Sequence, residues 1–132
     1  MKLKRRVLLV DDDREVLASL GTVLTHAGYE VIQASDGAEG IRIWRQLNGG
    51  DLAIINLFMP GKDAVDTIAE LRAYNPGLPI IVISAGEGTR QEALLTEAKL
   101  SGVVATLEKP FNPHALLALV ARTLANADRD DR

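Results

Sequence analysis

Five short runs of aliphatic, largely β-branched residues recur along the chain at nearly even intervals, and this spacing constrains the fold more than any other feature. They are Val7-Leu8-Leu9-Val10, Glu30-Val31-Ile32, Leu52-Ala53-Ile54-Ile55, Ile80-Ile81-Val82-Ile83 and Val103-Val104-Ala105, with starts 22 to 28 residues apart. Each is too short for a helix, and most are too apolar for a strand with one wet face, which predicts strands covered on both sides. Between them the apolar residues take helical spacing: Val16, Leu20, Val23, Leu24 and Ala27; Ala38, Ile41, Trp44 and Leu47; Val65, Ile68 and Leu71; Leu94, Leu95 and Ala98; Leu116, Val120 and Leu124. Gly28 follows the first segment, Ser35-Asp36-Gly37 precedes the second, Asn48-Gly49-Gly50 closes it, and Asn75-Pro76-Gly77 closes the third. The interval is the length of one strand, one helix and two short loops. The chain therefore reads as βα repeated five times: an α/β, single-domain (βα)5 fold with a doubly wound, five-stranded parallel sheet and helices on both faces.

A length of 132 residues leaves room for one domain, assigned to residues 1–125. Residues 126–132, ending Ala-Asp-Arg-Asp-Asp-Arg, are predicted to be a disordered polar tail. Fifteen Lys plus Arg against eighteen Asp plus Glu give a net charge of -3, so the chain lacks the basic field of a duplex binder and no direct nucleic-acid contact is predicted. The absence of cysteine removes disulfides, thiolate zinc sites and cysteine nucleophiles, and fits a cytoplasmic location. The basic start, Met1 to Arg6, precedes only four apolar residues, Val7 to Val10, too few for an export signal. No apolar run approaches the roughly 18 residues that cross a bilayer, so no membrane association is predicted.

In an open parallel sheet, ligands bind beyond the carboxyl ends of the strands. Four predicted strands end in polar residues there: Asp11-Asp12-Asp13, Asn56, Ser84 and Glu108-Lys109-Pro110-Phe111. Two carboxylates about 5 Å apart repel by roughly 3 kcal/mol at an effective dielectric near 20, so a cation is expected beside the triplet. Oxygen ligands at a solvated loop favour a hard, partly hydrated ion such as Mg²⁺. The bland alternative is that the aspartates cap the first helix, a task for which one of the three suffices. Lys109 is placed to neutralise the carboxylates or grip a phosphoryl oxygen, and Ser84 to donate a hydroxyl to the same group. An EF-hand loop counted from Asp11 fails at Val16 and Thr22, and Gly86-Glu87-Gly88-Thr89-Arg90 lacks the Gly-Lys-Ser/Thr ending of a phosphate loop. Ser84 has Val82, not Gly, two positions before it, so it is no nucleophile elbow. His26 and His114 are too few for the usual zinc site and are expected on helix surfaces.

These residues resemble one family: the receiver domain of bacterial two-component response regulators. The resemblance runs from about Arg6 to about Leu124. It is carried by the acidic pair after Val7–Val10, the stretch Asp51 to Asp63 with Met59-Pro60-Gly61, the hydroxyl residue after Ile80–Ile83, and Lys109-Pro110-Phe111. It implies a flavodoxin-like strand order 2-1-3-4-5. Asp11 and Asp12 resemble the family's Mg²⁺-binding acids, Phe58 the residue whose carbonyl completes the coordination, and Ser84 and Lys109 the pair that contacts the phosphoryl group. Thr106 falls where many members carry an aromatic switch residue, so a hydroxyl–hydroxyl coupling to Ser84 is the alternative readout. Ala64 stands where the family usually has Gly.

The family takes its phosphoryl group from a histidine kinase onto an aspartate at the end of the third strand, and here that position is Asn56. An amide oxygen is a poor nucleophile, which closes covalent chemistry there, although it remains a weak metal ligand. Either the phospho-acceptor has been substituted to leave an inert domain, or the chain is a natural pseudo-receiver whose partner binding is set without phosphate. The expected protein is thus not an enzyme. It is a signalling module that docks a histidine kinase, a histidine phosphotransfer protein or an output partner through the fourth helix and fifth strand, with a homodimer also open. A haloacid-dehalogenase-like phosphatase is the alternative suggested by Asp11-x-Asp13, but that motif wants Thr or Val where Glu15 stands. A flavodoxin-like cofactor carrier would want a hydroxyl- and glycine-rich loop in place of three aspartates, which repel a bare phosphate.

Overall fold

The computed structural model describes residues 4–57, 59, 64–84, 95–99 and 102–130. Along the chain run β1 (Arg6–Val10), α1 (Arg14–His26), β2 (Glu30–Ala34), α2 (Gly37–Gln46), β3 (Leu52–Asn56), α3 (Ala64–Tyr74), β4 (Ile80–Ser84), helical residues 95–99 (α4), β5 (Ala105–Glu108) and α5 (Pro113–Asp130). The strands form one sheet in the order β2-β1-β3-β4-β5, every neighbouring pair parallel, as the βα alternation requires.

Alternation along each strand divides the core into two layers. Leu8, Val10, Ala53, Ile55, Ile80 and Val82 face one way and pack with Ile41 and Trp44 of α2 and Ile68 and Leu71 of α3. Val7, Leu9, Leu52, Ile54, Ile81 and Ile83 face the other, against Leu17, Leu20 and Leu24 of α1 and Leu116, Val120 and Leu124 of α5. Every residue of β3 and β4 is buried, which is why those segments read as unbroken apolar runs. β2 and β5 lie at the edges and are mostly half-exposed. Removing a buried aliphatic side chain of this kind from water is worth about 1.5–3 kcal/mol, so the two layers supply the main drive to fold.

Two glycines are required by geometry. Gly28 ends α1 with φ +100°, a conformation that costs a side chain strain. At Gly37 a Cβ would meet the Thr67 hydroxyl oxygen at 2.0 Å, so only hydrogen lets α2 lie this close to α3. Trp44, fully buried, spends its one polar atom on the Asn75 side-chain oxygen at 2.7 Å and thereby ties α2 to the turn after α3.

Two expectations are corrected. The fifth strand begins at Ala105, not Val103: Gly102 turns with φ +88°, Val103 packs against the core from outside the strand, and Val104 is 54% exposed. The tail expected from Asn126 is instead helical through Asp130. Alternating Asp and Arg suit an exposed helix face as well as a solvated coil. Here Asp128 is held by the Arg5 guanidinium, which also pairs with Asp51, so the end of α5 is tied to the start of β1 and β3. Leu94 lies outside the described residues. His26 and His114 are exposed on α1 and α5, as expected.

Candidate functional site

Parallel strands all point their carboxyl ends to one edge, and that edge gathers Asp11, Asp12, Asn56, Ser84 and Lys109 from four strand ends. β1 pairs with β3 so that Val10 lies beside Ile55, which sets Asp11 next to Asn56. Asn56 in turn lies beside Ile83, one residue before Ser84. The Lys109 backbone N–H donates to the Ser84 carbonyl at 2.8 Å, carrying the β4–β5 ladder one residue beyond the strand. The Lys109–Pro110 peptide is cis.

The three aspartates have separate tasks. Asp13 is the N-cap of α1: its carboxylate accepts the backbone N–H of Glu15 at 2.9 Å and of Val16 at 3.4 Å. Such a cap is worth about 1 kcal/mol and leaves the other two carboxylates free of that duty. Asp11 is 1% exposed, and one of its oxygens accepts the Asp13 backbone N–H at 2.9 Å. The other oxygen, Oδ2, is buried without a hydrogen-bond partner, and the Lys109 ammonium stands 3.7 Å from it. Asp12 is exposed to solvent. Asn56, 8% exposed, turns its amide nitrogen toward the acids, 3.4 Å from Asp11 Oδ1 and 3.3 Å from Asp12 Oδ1. Sequence reasoning took Asn56 as an oxygen ligand for an ion, whereas the group presented to the acids is the donor nitrogen. Among the described residues no three acidic or histidine side chains converge, because the third strand supplies an amide.

Burial pushes the Asp11 carboxyl above the usual carboxylate range; the Asp13 N–H and the Lys109 ammonium oppose that shift and the Asp12 carboxylate adds to it. A carboxyl that holds its proton more tightly when folded adds stability below its usual value of 3.8, and that contribution is lost as pH rises through the folded value. Asp11→Asn is therefore expected to stabilise the metal-free protein at pH 7, with the gain fading toward pH 3. Thermal melts of both proteins in EDTA across this range check it, and a gain that is constant with pH would contradict it.

Ser84 is buried at 3% exposure. Thr106, half-buried on β5, lies beside Val82 and so shares a sheet face with Ser84, but among the described residues no hydrogen bond joins the two hydroxyls. Phe58 and the loop at 60–63 lie outside the described residues. Ala64 is buried as the first residue of α3. Next to the acids a groove of about 610 Å³ runs between the first turns of α1 and the start of α5, walled by Val16, Leu20 and Phe111 with Lys109 at its edge. A larger cleft of about 900 Å³, lined in part by Arg5, Arg72 and Arg122, opens at the opposite end of the strands and is remote from the acids.

A parallel sheet in this order, with an acidic pair, a buried hydroxyl and a lysine at its carboxyl edge, defines a receiver-type module. The chain belongs to the response regulator receiver domain family, whose model matches residues 7–121. It is 39% identical over 110 residues to the transcriptional regulatory protein GlrR of Escherichia coli K12, covering 83% of this chain and 24% of that protein. It is 40% identical over 120 residues to the transcriptional regulatory protein PrrA of Mycobacterium tuberculosis, covering 91% of this chain and 48% of PrrA. The chain thus spans a quarter to a half of the length of these relatives. Among solved structures, Vibrio cholerae chemotaxis protein CheY4 matches with TM-score 0.81 at 28% identity, over 92% of this chain and 99% of that one. A CheY-like receiver domain protein from Methanospirillum hungatei matches in fold with TM-score 0.85 at 24% identity, over 97% and 99%. Family membership leaves the phosphatase reading without support.

Proposed function

We propose that this chain is a receiver module that works by protein–protein interaction and accepts no phosphoryl group. The observation that carries the reading is Asn56, an amide at the end of β3 set 3.3–3.4 Å from the acid pair, where the chemistry calls for a carboxylate nucleophile. Without one no phosphoryl-aspartate forms at this position, and a role other than enzyme is part of the proposal.

Two carboxylates on one strand end, one with a buried oxygen lacking a hydrogen-bond donor, suit a hard divalent cation, and Mg²⁺ is the ion proposed. Asp11 and Asp12 would hold it, with the Phe58 carbonyl, and binding would be weak because Asn56 brings no charge. When bound, the ion neutralises the acid pair.

The partners proposed are a histidine kinase or histidine phosphotransfer protein on one side and an output protein on the other. The face of α4 and β5 is the docking surface put forward, with Val104 exposed just before β5, and a homodimer through it belongs to the same proposal. A net charge of -3 supports placing nucleic-acid contact outside these residues. No helix among the described residues is long and apolar enough to cross a membrane. A cytoplasmic location is part of the proposal.

Incubation with Mg²⁺ and acetyl phosphate, followed by intact-mass measurement, is expected to show only the unmodified chain. A stoichiometric phosphoryl adduct mapped to this edge of the sheet would overturn the reading.

A further inference from the structure

We propose that the Asn56 amide takes the place a divalent cation would hold, so that it competes with Mg²⁺ for the acid pair instead of coordinating it. The inference deepens the proposed function and rests on the same site.

The amide nitrogen lies at nearly equal distances from the two acids, 3.4 Å from Asp11 Oδ1 and 3.3 Å from Asp12 Oδ1. A side-chain amide carries two N–H donors on one nitrogen, so one such group serves two acceptors. Its donors bring partial positive charge between the carboxylates without adding a formal charge to the pocket. Among the described residues the full positive charge at the pair is that of Lys109, 3.7 Å from the other oxygen of Asp11. One oxygen of each acid is in this way met from within the chain, while Asp11 Oδ2 has the Lys109 ammonium at 3.7 Å in place of a hydrogen-bond donor.

An incoming ion would have to displace both N–H contacts, and Asn56 has little means of withdrawing. Its residue is 8% exposed and ends a fully buried strand, and the next residue, Leu57, donates its N–H to the Ile83 carbonyl at 2.8 Å. The amide must turn over in place to offer its oxygen. An aspartate at this position has no donor and adds a charge, so it would recruit the ion. An alanine has neither donor nor ligand, and so separates competition from coordination.

The test is calorimetric titration of MgCl₂ into the EDTA-dialysed chain and its Asn56→Ala and Asn56→Asp variants. Removing the amide is expected to tighten Mg²⁺ binding by on the order of tenfold although a possible ligand is lost, with the Asp variant tighter still. Equal or weaker binding by the Ala variant overturns the inference. The receiver reading is checked apart from it by phosphodonor reactivity of the Asp variant. If that variant takes a phosphoryl group while the Ala variant binds no better than the parent, only the inference falls. Should the Ala variant fail to fold, NMR of the unmodified chain decides. The Asn56 side-chain NH₂ signals are expected to be shielded from solvent exchange in EDTA, and rapid exchange there overturns the inference.

Discussion

Asn56→Asp is expected to convert an inert pocket into one that takes a single phosphoryl group from acetyl phosphate in the presence of Mg²⁺. The new carboxylate oxygen attacks phosphorus, the bond to the acetyl oxygen breaks, and acetate leaves with its electron pair. Everything else the step needs already surrounds position 56: the Asp11–Asp12 pair, Ser84 beyond the neighbouring strand position, and Lys109 beside Asp11. The change is from no detectable adduct to one that approaches stoichiometry, because the substitution supplies the nucleophile and not a fraction of a barrier. Intact-mass measurement before and after EDTA treatment reads it. A variant that is folded and binds Mg²⁺ yet remains unmodified would show that this edge does not carry receiver chemistry.

The second large effect is on stability, in the opposite sense. Asn56→Asp replaces two N–H contacts by a third negative charge, with the Lys109 ammonium, 3.7 Å from Asp11, to offset it. Without metal the variant is expected to lose on the order of 1 to 3 kcal/mol, less than the bare pairwise repulsion because Asp12 is open to solvent. Millimolar Mg²⁺ should reverse the loss, since an ion bound only by the folded state stabilises it by mass action. Denaturant melts of both proteins, each with EDTA and with Mg²⁺, measure it. Identical stability in all four conditions would place residue 56 away from the acids and remove the site assignment.

Much of this molecule is legible in its sequence because the signals are local. Whether a segment is strand or helix follows from apolar spacing, and Leu52–Ile55 and Ile80–Ile83 are unbroken apolar runs because both of their faces are covered. That the strands run parallel follows from the βα alternation, and parallel strands put Asp11, Asn56, Ser84 and Lys109 at one edge by necessity. The element ends were less legible. The stretch from Asn126 reads as a disordered polar tail, yet it is helical through Asp130, with Arg5, more than a hundred residues away, holding Asp128.

What the sequence alone determined is the architecture, the edge where the polar strand ends gather and the amide that stands at position 56, since periodicity and residue type are properties of neighbouring positions. Only the tertiary structure decided which aspartate caps α1, which oxygen of Asp11 is left without a donor, and which end of the Asn56 amide meets the acids. Those outcomes depend on side chains from β1, β3 and β5 meeting across the sheet. Their competition for each other's donors and acceptors exists only once strand order and burial have set the distances between them.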